Sequence, residues 1–285
     1  MQPQSPLLLL ATAIRLAFLR QLKPEECMRL FKIVYASDEV RLEELLVETQ
    51  NLNTHSLNLS YCIDNEQISP LMVAADGGPV KMVKQLVEAC DEETLHLVDK
   101  YNRNAVQFAC NHDSPEVLQV LIDAKISIRN IGTDGSTALI VACSNGYKNL
   151  VEKLLDQLDL ETINHLSNEA IGRRTALMAA ASANNPAVIE MLLAKGADIT
   201  LKDSDGFSVL DRAILTNSSD AIGVLTDFVI KKQDWDAFPV EFFSNAISYA
   251  WQTRKVEVWN KLNAALAAKT SHKSASSENK AVCQF

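Results

Sequence analysis

One spacing constrains this chain more than any other feature. Ser69, Asn104, Thr137, Thr175 and Ser208 stand 35, 33, 38 and 33 residues apart, and each opens a short apolar run. All five are residue types whose side chains accept a hydrogen bond from the open first turn of a helix. The unit is clearest from Thr175, where Leu177, Ala180 and Ala181 follow at helical spacing. Asn184-Asn185-Pro186 ends that helix and begins another, since proline suits a first turn and not a helix interior. Val188, Ile189, Leu192 and Leu193 then share one face, and Gly196 stops the second helix. Asp203-Ser204-Asp205-Gly206 turns the chain into the next unit. A helical hairpin this small has no interior of its own and is stable only by packing on its neighbours.

The pattern has a family likeness. Thr175-Ala-Leu-Met-Ala-Ala-Ala, followed by Leu192-Leu-Ala-Lys-Gly-Ala-Asp, resembles the two halves of an ankyrin repeat. That repeat reads T-P-L-H-x-A-A and then L-L-x-x-G-A-D. The resemblance implies an all-α, ankyrin-repeat helical solenoid of five repeats over 64–98, 99–131, 132–169, 170–202 and 203–236, between degenerate capping pairs. Pro79, Pro115 and Pro186 each open an outer helix, and the long 38-residue interval places an insertion at about 158–168. The chain also departs from the family. Met72, Gln107, Ile140, Met178 and Asp211 stand where the histidine should, and only Pro70 keeps the proline. That histidine joins hydrogen bonds between neighbouring turns in the family, so this stack is expected to lean more on apolar packing.

The flanks are less regular. Residues 1–23 are expected to hold an amphipathic helix, with Leu7, Leu10, Ile14, Phe18 and Leu22 packed on the first repeat. A targeting or membrane-associated segment is the alternative, because this stretch is basic and acid-free, although too short to span a bilayer. Residues 24–63 form a degenerate capping repeat. Its Pro24-Glu-Glu-Cys-Met-Arg-Leu-Phe31 opening also resembles the start of an F-box, which would imply delivery of a bound protein to a ubiquitin ligase. Residues 237–268 are read as C-terminal capping helices, whose tryptophans cover the end of the stack, and 269–285 as a disordered polar tail.

Charge and chemistry narrow the function. The first 24 residues carry +3 (Arg15, Arg20, Lys23) and residues 269–285 carry +2 (Lys269, Lys273 and Lys280 against Glu278). Of the net −9, the segment between therefore holds −14. Such a body repels nucleic acid. Cys110 and Cys143 occupy one repeat position and serve as small buried residues, which argues for a reducing compartment. His55, His96, His112, His165 and His272 fall in different units without metal-ligand spacing. Asp203-Ser-Asp-Gly206 resembles part of a calcium loop, but Leu201 and Arg212 hold positions where that loop needs acids. No catalytic constellation, cofactor motif, small-molecule site or metal site emerges.

What remains is surface. The resemblance implies that a partner protein docks on turn tips and inner-helix ends along a concave face. On this chain the candidate partner-binding residues are Ile68, Lys100, Tyr101, Arg103, His112, Asp134, Asn145, Arg174, Asp205 and Phe207. The expectation is a monomeric, non-catalytic binding module or adaptor of the cytoplasm or nucleus. A ligase-recruiting adaptor and a bacterial effector acting in a host cytosol are the alternatives.

Overall fold

The computed structural model describes residues 20–21, 24–50, 57–58, 67–232, 240–252 and 254–282. Apart from a two-residue parallel pairing of Arg20–Gln21 (β1) with Leu57–Asn58 (β2), the regular elements among them are helical. The chain divides into two compact units, residues 1–133 and 134–285.

In the first unit, Pro24–Tyr35 (α1) and Glu39–Gln50 (α2) form a hairpin. Pro70–Ala75 (α3) pairs with Val80–Ala89 (α4), the short Glu92–Leu95 (α5) follows, and Ala105–Ala109 (α6) pairs with Pro115–Asp123 (α7). Helix α3 packs between α1 and α6, while α4 packs between α2 and α7. Two rows of helices result, with Leu30, Leu71, Leu86, Val106, Leu118 and Leu121 fully or almost fully buried between them.

The second unit repeats the plan. Ala138–Asn145 (α8) pairs with Lys148–Leu155 (α9), followed by the short Leu160–Ile163 (α10) and a 3-10 turn at Glu169–Ile171. Ala176–Ser182 (α11) pairs with Pro186–Ala194 (α12), and Val209–Leu215 (α13) with Ser219–Lys232 (α14). Val240–Gln252 (α15) and Val256–Val282 (α16) complete it. The row α8–α11–α13–α15 packs in series, as does α9–α12–α14–α16.

The expected helix starts are all present. Ser69, Asn104, Thr137, Thr175 and Ser208 are buried, extended in backbone, and each accepts a hydrogen bond from the N–H three residues on. A side-chain cap of this kind contributes roughly 1 kcal/mol. The position lacking the family histidine is more polar in effect than expected. Gln107 Oε1 accepts from the Asn104 N–H at 3.3 Å and from Asn130 Nδ2 at 2.8 Å, so it still links neighbouring turns. Asp211 accepts from the Ser208 N–H and hydroxyl at 2.9 and 2.7 Å. Ile140 and Met178 follow the expectation of apolar packing, while the buried Met72 sulfur also accepts weakly from the Ser69 N–H at 3.5 Å.

Three further readings are corrected. The insertion is split. Helices α5 and α10, each capped by an aspartate (Asp91, Asp159), lengthen their repeats alike, and the surplus unique to the 38-residue interval lies in the turn after Ser167. The stretch from Lys269 is not a disordered tail: α16 continues to Val282, and Lys269 itself is buried. No glycine or proline interrupts 256–282, and alanine, lysine and glutamate sustain a helix without an apolar face. Nor does Trp251 seal the end of the stack, and Trp259 is only half-buried. Trp251 is 68% exposed, and Phe243, Ala246, Ala250, Leu262 and Ala265 do the burying. Of the predicted helix over residues 7–22, only Arg20 and Gln21 lie among the described residues, and they are strand; Trp235 also lies outside them.

Candidate protein-binding surface

The described repeats present a turn between an outer helix and the next inner helix, and in three of them an aspartate shapes it, Asp99 and Asp203 buried and Asp134 half-buried. In the first unit Asp99 Oδ1 accepts from the N–H groups of Tyr101 and Arg103 at 3.0 and 2.7 Å. Its Oδ2 takes Arg103 Nε at 2.8 Å and Nη2 at 2.7 Å. The Asp99 side chain is fully buried while Arg103 is part exposed, so the pair is an internal brace with one face at the surface. The Arg103 guanidinium also lies over Phe108 at 4.7 Å and over Tyr101 at 5.2 Å, and Lys100 Nζ lies 4.9 Å from the Tyr101 centroid. Two cations over the ring restrain Tyr101, which is still 46% exposed. Main-chain bonding from the Thr133 N–H to the Tyr101 carbonyl (2.8 Å) and from Asn102 Nδ2 to the Ile131 carbonyl (2.7 Å) joins this turn to the next.

The second unit uses the same device with different closures. Asp134 Oδ1 accepts from the Ser136 N–H at 2.9 Å and hydroxyl at 2.6 Å. Asp203 Oδ1 accepts from the N–H groups of Asp205 and Phe207, both at 2.9 Å, and its Oδ2 binds Arg212 Nε. Arg212 reaches on to Asp205 at 2.6 Å and lies over the Phe207 ring at 5.2 Å. Turn tips are again stitched together, Asn168 N–H to the Asp134 carbonyl at 3.0 Å and Ser204 N–H to the Gly172 carbonyl at 3.1 Å. Gly135 makes the first stitch feasible. Its φ is +78°, and a Cβ there would stand 2.4 Å from the Asn168 nitrogen.

The turn before α11 differs. Ser167 occupies the place of the carboxylate, its hydroxyl accepting from the Arg174 N–H at 2.8 Å. Arg174 precedes its helix cap as Arg103 does, but forms no ion pair among the described residues, and its Nε is buried without a hydrogen-bond partner. Three extra residues between Ser167 and the cap also push Ile171 outward, leaving it 38% exposed.

The ten predicted residues therefore fall into groups. In the first unit, Lys100, Tyr101 and Arg103 form one stacked cluster, with Arg103 committed to Asp99. His112 lies beside the end of α6, its Nε2 3.5 Å from Asp76, which also accepts from Asn111 Nδ2 at 3.0 Å; Ile68 is half-buried next to its cap. In the second unit, Asp134 spends one carboxylate oxygen inside its own turn, and Asn145 is exposed at the end of α8. Asp205 and Phe207 are bound together through Arg212, and Arg174 stands apart with its unpaired donor. The F-box-like reading meets an obstacle, because Leu30 is fully buried and α1 packs against α3. Among the described residues, no three His, Cys, Asp or Glu side chains cluster as a metal site would require, and no helix is long and apolar enough to cross a membrane. Cys90, Cys110 and Cys143 are buried, and burial raises the Cys110 thiol to about 12, far above the range of reactive thiols.

Comparison with known proteins agrees with this architecture. A family model of ankyrin repeats, in three copies, matches residues 30–130, 71–164, 126–203 and 157–234. The chain is 30% identical over 157 residues to the B-cell lymphoma 3 protein homolog of Mus musculus, covering 53% of this chain and 33% of that protein. It is 29% identical over 169 residues to tyrosine-protein kinase HTK16 of Hydra vulgaris, covering 56% and 21%. The chain thus spans about a third or less of the length of these relatives. The crystal structure of the ankyrin repeat domain of Bcl-3, a member of the IkappaB protein family, matches with a TM-score of 0.57 at 24% identity, covering 70% of this chain and 84% of that domain. With the hairpin rows, the cap register and these matches in agreement, the chain belongs to the ankyrin repeat family.

Proposed function

We propose that this chain is a non-catalytic binding module that holds a partner protein on the turn tips and inner-helix ends of its repeats. Family membership supports protein–protein interaction in general. The observation that carries the finer reading is the contrast between turns. Most tips are locked by an internal carboxylate, whereas Arg174 has a buried donor that the fold leaves unused. An arginine on a braced turn is a typical energetic anchor of an interface, and an unsatisfied donor favours a partner that brings an acceptor. Ile171 and Tyr101 add exposed apolar area on their own turns. The partner face on the second unit is accordingly a carboxylate beside an apolar side chain.

Arg103 joins the surface through its stacked face, but its first task is the brace with Asp99. Affinity capture from an extract with quantitative mass spectrometry separates the roles. Arg174→Ala should lose the specific partners at least tenfold, about 1.4 kcal/mol, at nearly unchanged stability. Arg103→Ala should lower the urea midpoint, leaving Asp99 buried and unpaired. Unchanged capture by a Tyr101→Ala, Arg174→Ala, Phe207→Ala triple variant would overturn the reading.

A further inference from the structure

The second unit carries another surface that the turn tips do not involve. A cleft of about 400 Å³ opens between α14 and the start of α16, lined by Ile222, Gly223 and Thr226 on one side and Lys255, Val256 and Lys261 on the other. Val256 also lines a neighbouring apolar groove of about 560 Å³ with Trp251, Arg254 and Trp259. The two indole rings lie 5.6 Å apart, and Trp251 and Val256 are 68% and 62% exposed. Trp251 is the most exposed large apolar side chain among the described residues.

The cleft itself is built for negative charge. The first turns of α14 and α16 both contribute to its wall, through Ser219 and through Val256 and Glu257. Each first turn presents the positive end of a helix dipole, although in α14 the N–H groups of Asp220 and Ala221 already donate to Asn184 Oδ1 at 3.1 Å. Arg254, Lys255 and Lys261 form no ion pair among the described residues, against the single acid Glu257, although the chain is net negative. Burial lowers the Lys255 ammonium from its usual value by disfavouring its charged form, a penalty that a neighbouring carboxylate would offset. The independent sign is Thr226. It is 1% exposed, and its hydroxyl has no hydrogen-bond partner. Gly223, one turn earlier, leaves open space: a Cβ there would meet nothing within 4 Å.

We infer that this surface docks a short acidic segment of a partner protein. An apolar side chain of that segment lies on the Trp251–Trp259 wall, and an adjacent carboxylate enters the cleft toward Thr226, Lys255 and Lys261. The site is separate from the turn-tip reading and stands or falls by itself.

The tryptophans provide the probe. The full chain is titrated with a blocked Gly-Phe-Glu-Glu-Gly peptide while intrinsic fluorescence is followed, since two of the three tryptophans line the groove. A saturable response is expected, at least tenfold weaker when the peptide carries Gln for Glu or Ala for Phe. Lys255→Gln with Lys261→Gln should weaken it tenfold. Gly223→Leu, whose Cβ would meet nothing within 4 Å and whose side chain would occupy the cleft, should abolish it. Thr226→Val should weaken it severalfold without lowering Tm, whereas a merely structural hydroxyl would show in Tm. Tyr101→Ala with Phe207→Ala should bind the peptide normally even if partner capture is lost. The inference is overturned if wild type gives no saturable response, if inorganic phosphate alone reproduces it at the same concentration, or if Gly223→Leu binds normally.

Discussion

The turn closed by Asp99 and the turn closed by Ser167 come from one repeat plan and end differently. Asp99 gathers two main-chain N–H groups and a bidentate arginine, so both the carboxylate and the guanidinium find their partners inside the turn. Ser167 can accept from the Arg174 N–H but has no charge to offer the guanidinium, and three added residues lengthen the loop. The first turn is a finished structural part. The second keeps the same scaffold position but leaves Arg174 Nε without a hydrogen-bond partner. On the proposed reading, losing the acid is what makes the arginine available to a partner, without altering the helices on either side.

The largest expected test of that contrast is stability. Asp99→Ala removes a buried partner of a charged pair and should cost about 3 kcal/mol, read from urea unfolding. Ser167→Ala should cost only about 1 kcal/mol, the worth of one neutral hydrogen bond. Equal costs would mean that the two turns are not different devices. A sharper probe installs the missing acid. Ser167→Asp should draw Arg174 inward and weaken partner capture roughly tenfold, with stability unchanged or raised; capture as strong as wild type would break the argument for Arg174. The smallest effect concerns pH at the neighbouring turn. Burial raises the Asp211 carboxyl above its ordinary value, despite the hydrogen bonds from Ser208 that oppose the shift, and its second oxygen has no partner. Its neutral form is therefore favoured in the folded chain. That contribution is present below the ordinary carboxylate pKa and is lost as pH rises through the raised one. Asp211→Asn should accordingly gain on wild type in urea midpoint as pH is taken from 4 to 7; a constant difference would refute the assignment.

The C-terminal pair gives a second lesson about reading such a chain. Trp251 and Trp259 suggested a lid because large apolar residues are usually buried, yet the smaller Ala246, Ala250 and Ala265 allow α15 and α16 to approach and leave Trp251 outside. Likewise the polar run after Lys269 suggested disorder, although polarity by itself does not stop a helix that has already started.

The sequence by itself determined the helix starts, because a cap is a local matter: Ser69, Asn104, Thr137, Thr175 and Ser208 need only the N–H three residues ahead. It also determined the buried stripes, since helical periodicity assigns Leu86, Leu118, Leu154 and Leu192 to one face without knowledge of what covers them. Only the tertiary structure decided which arginine is spent and which is left. Arg103, Arg174 and Arg212 are alike as letters, and their difference depends on whether a carboxylate from another point in the turn reaches the guanidinium. That is a matter of ångströms between residues four, seven or nine apart in a folded loop, where neither periodicity nor composition carries a signal.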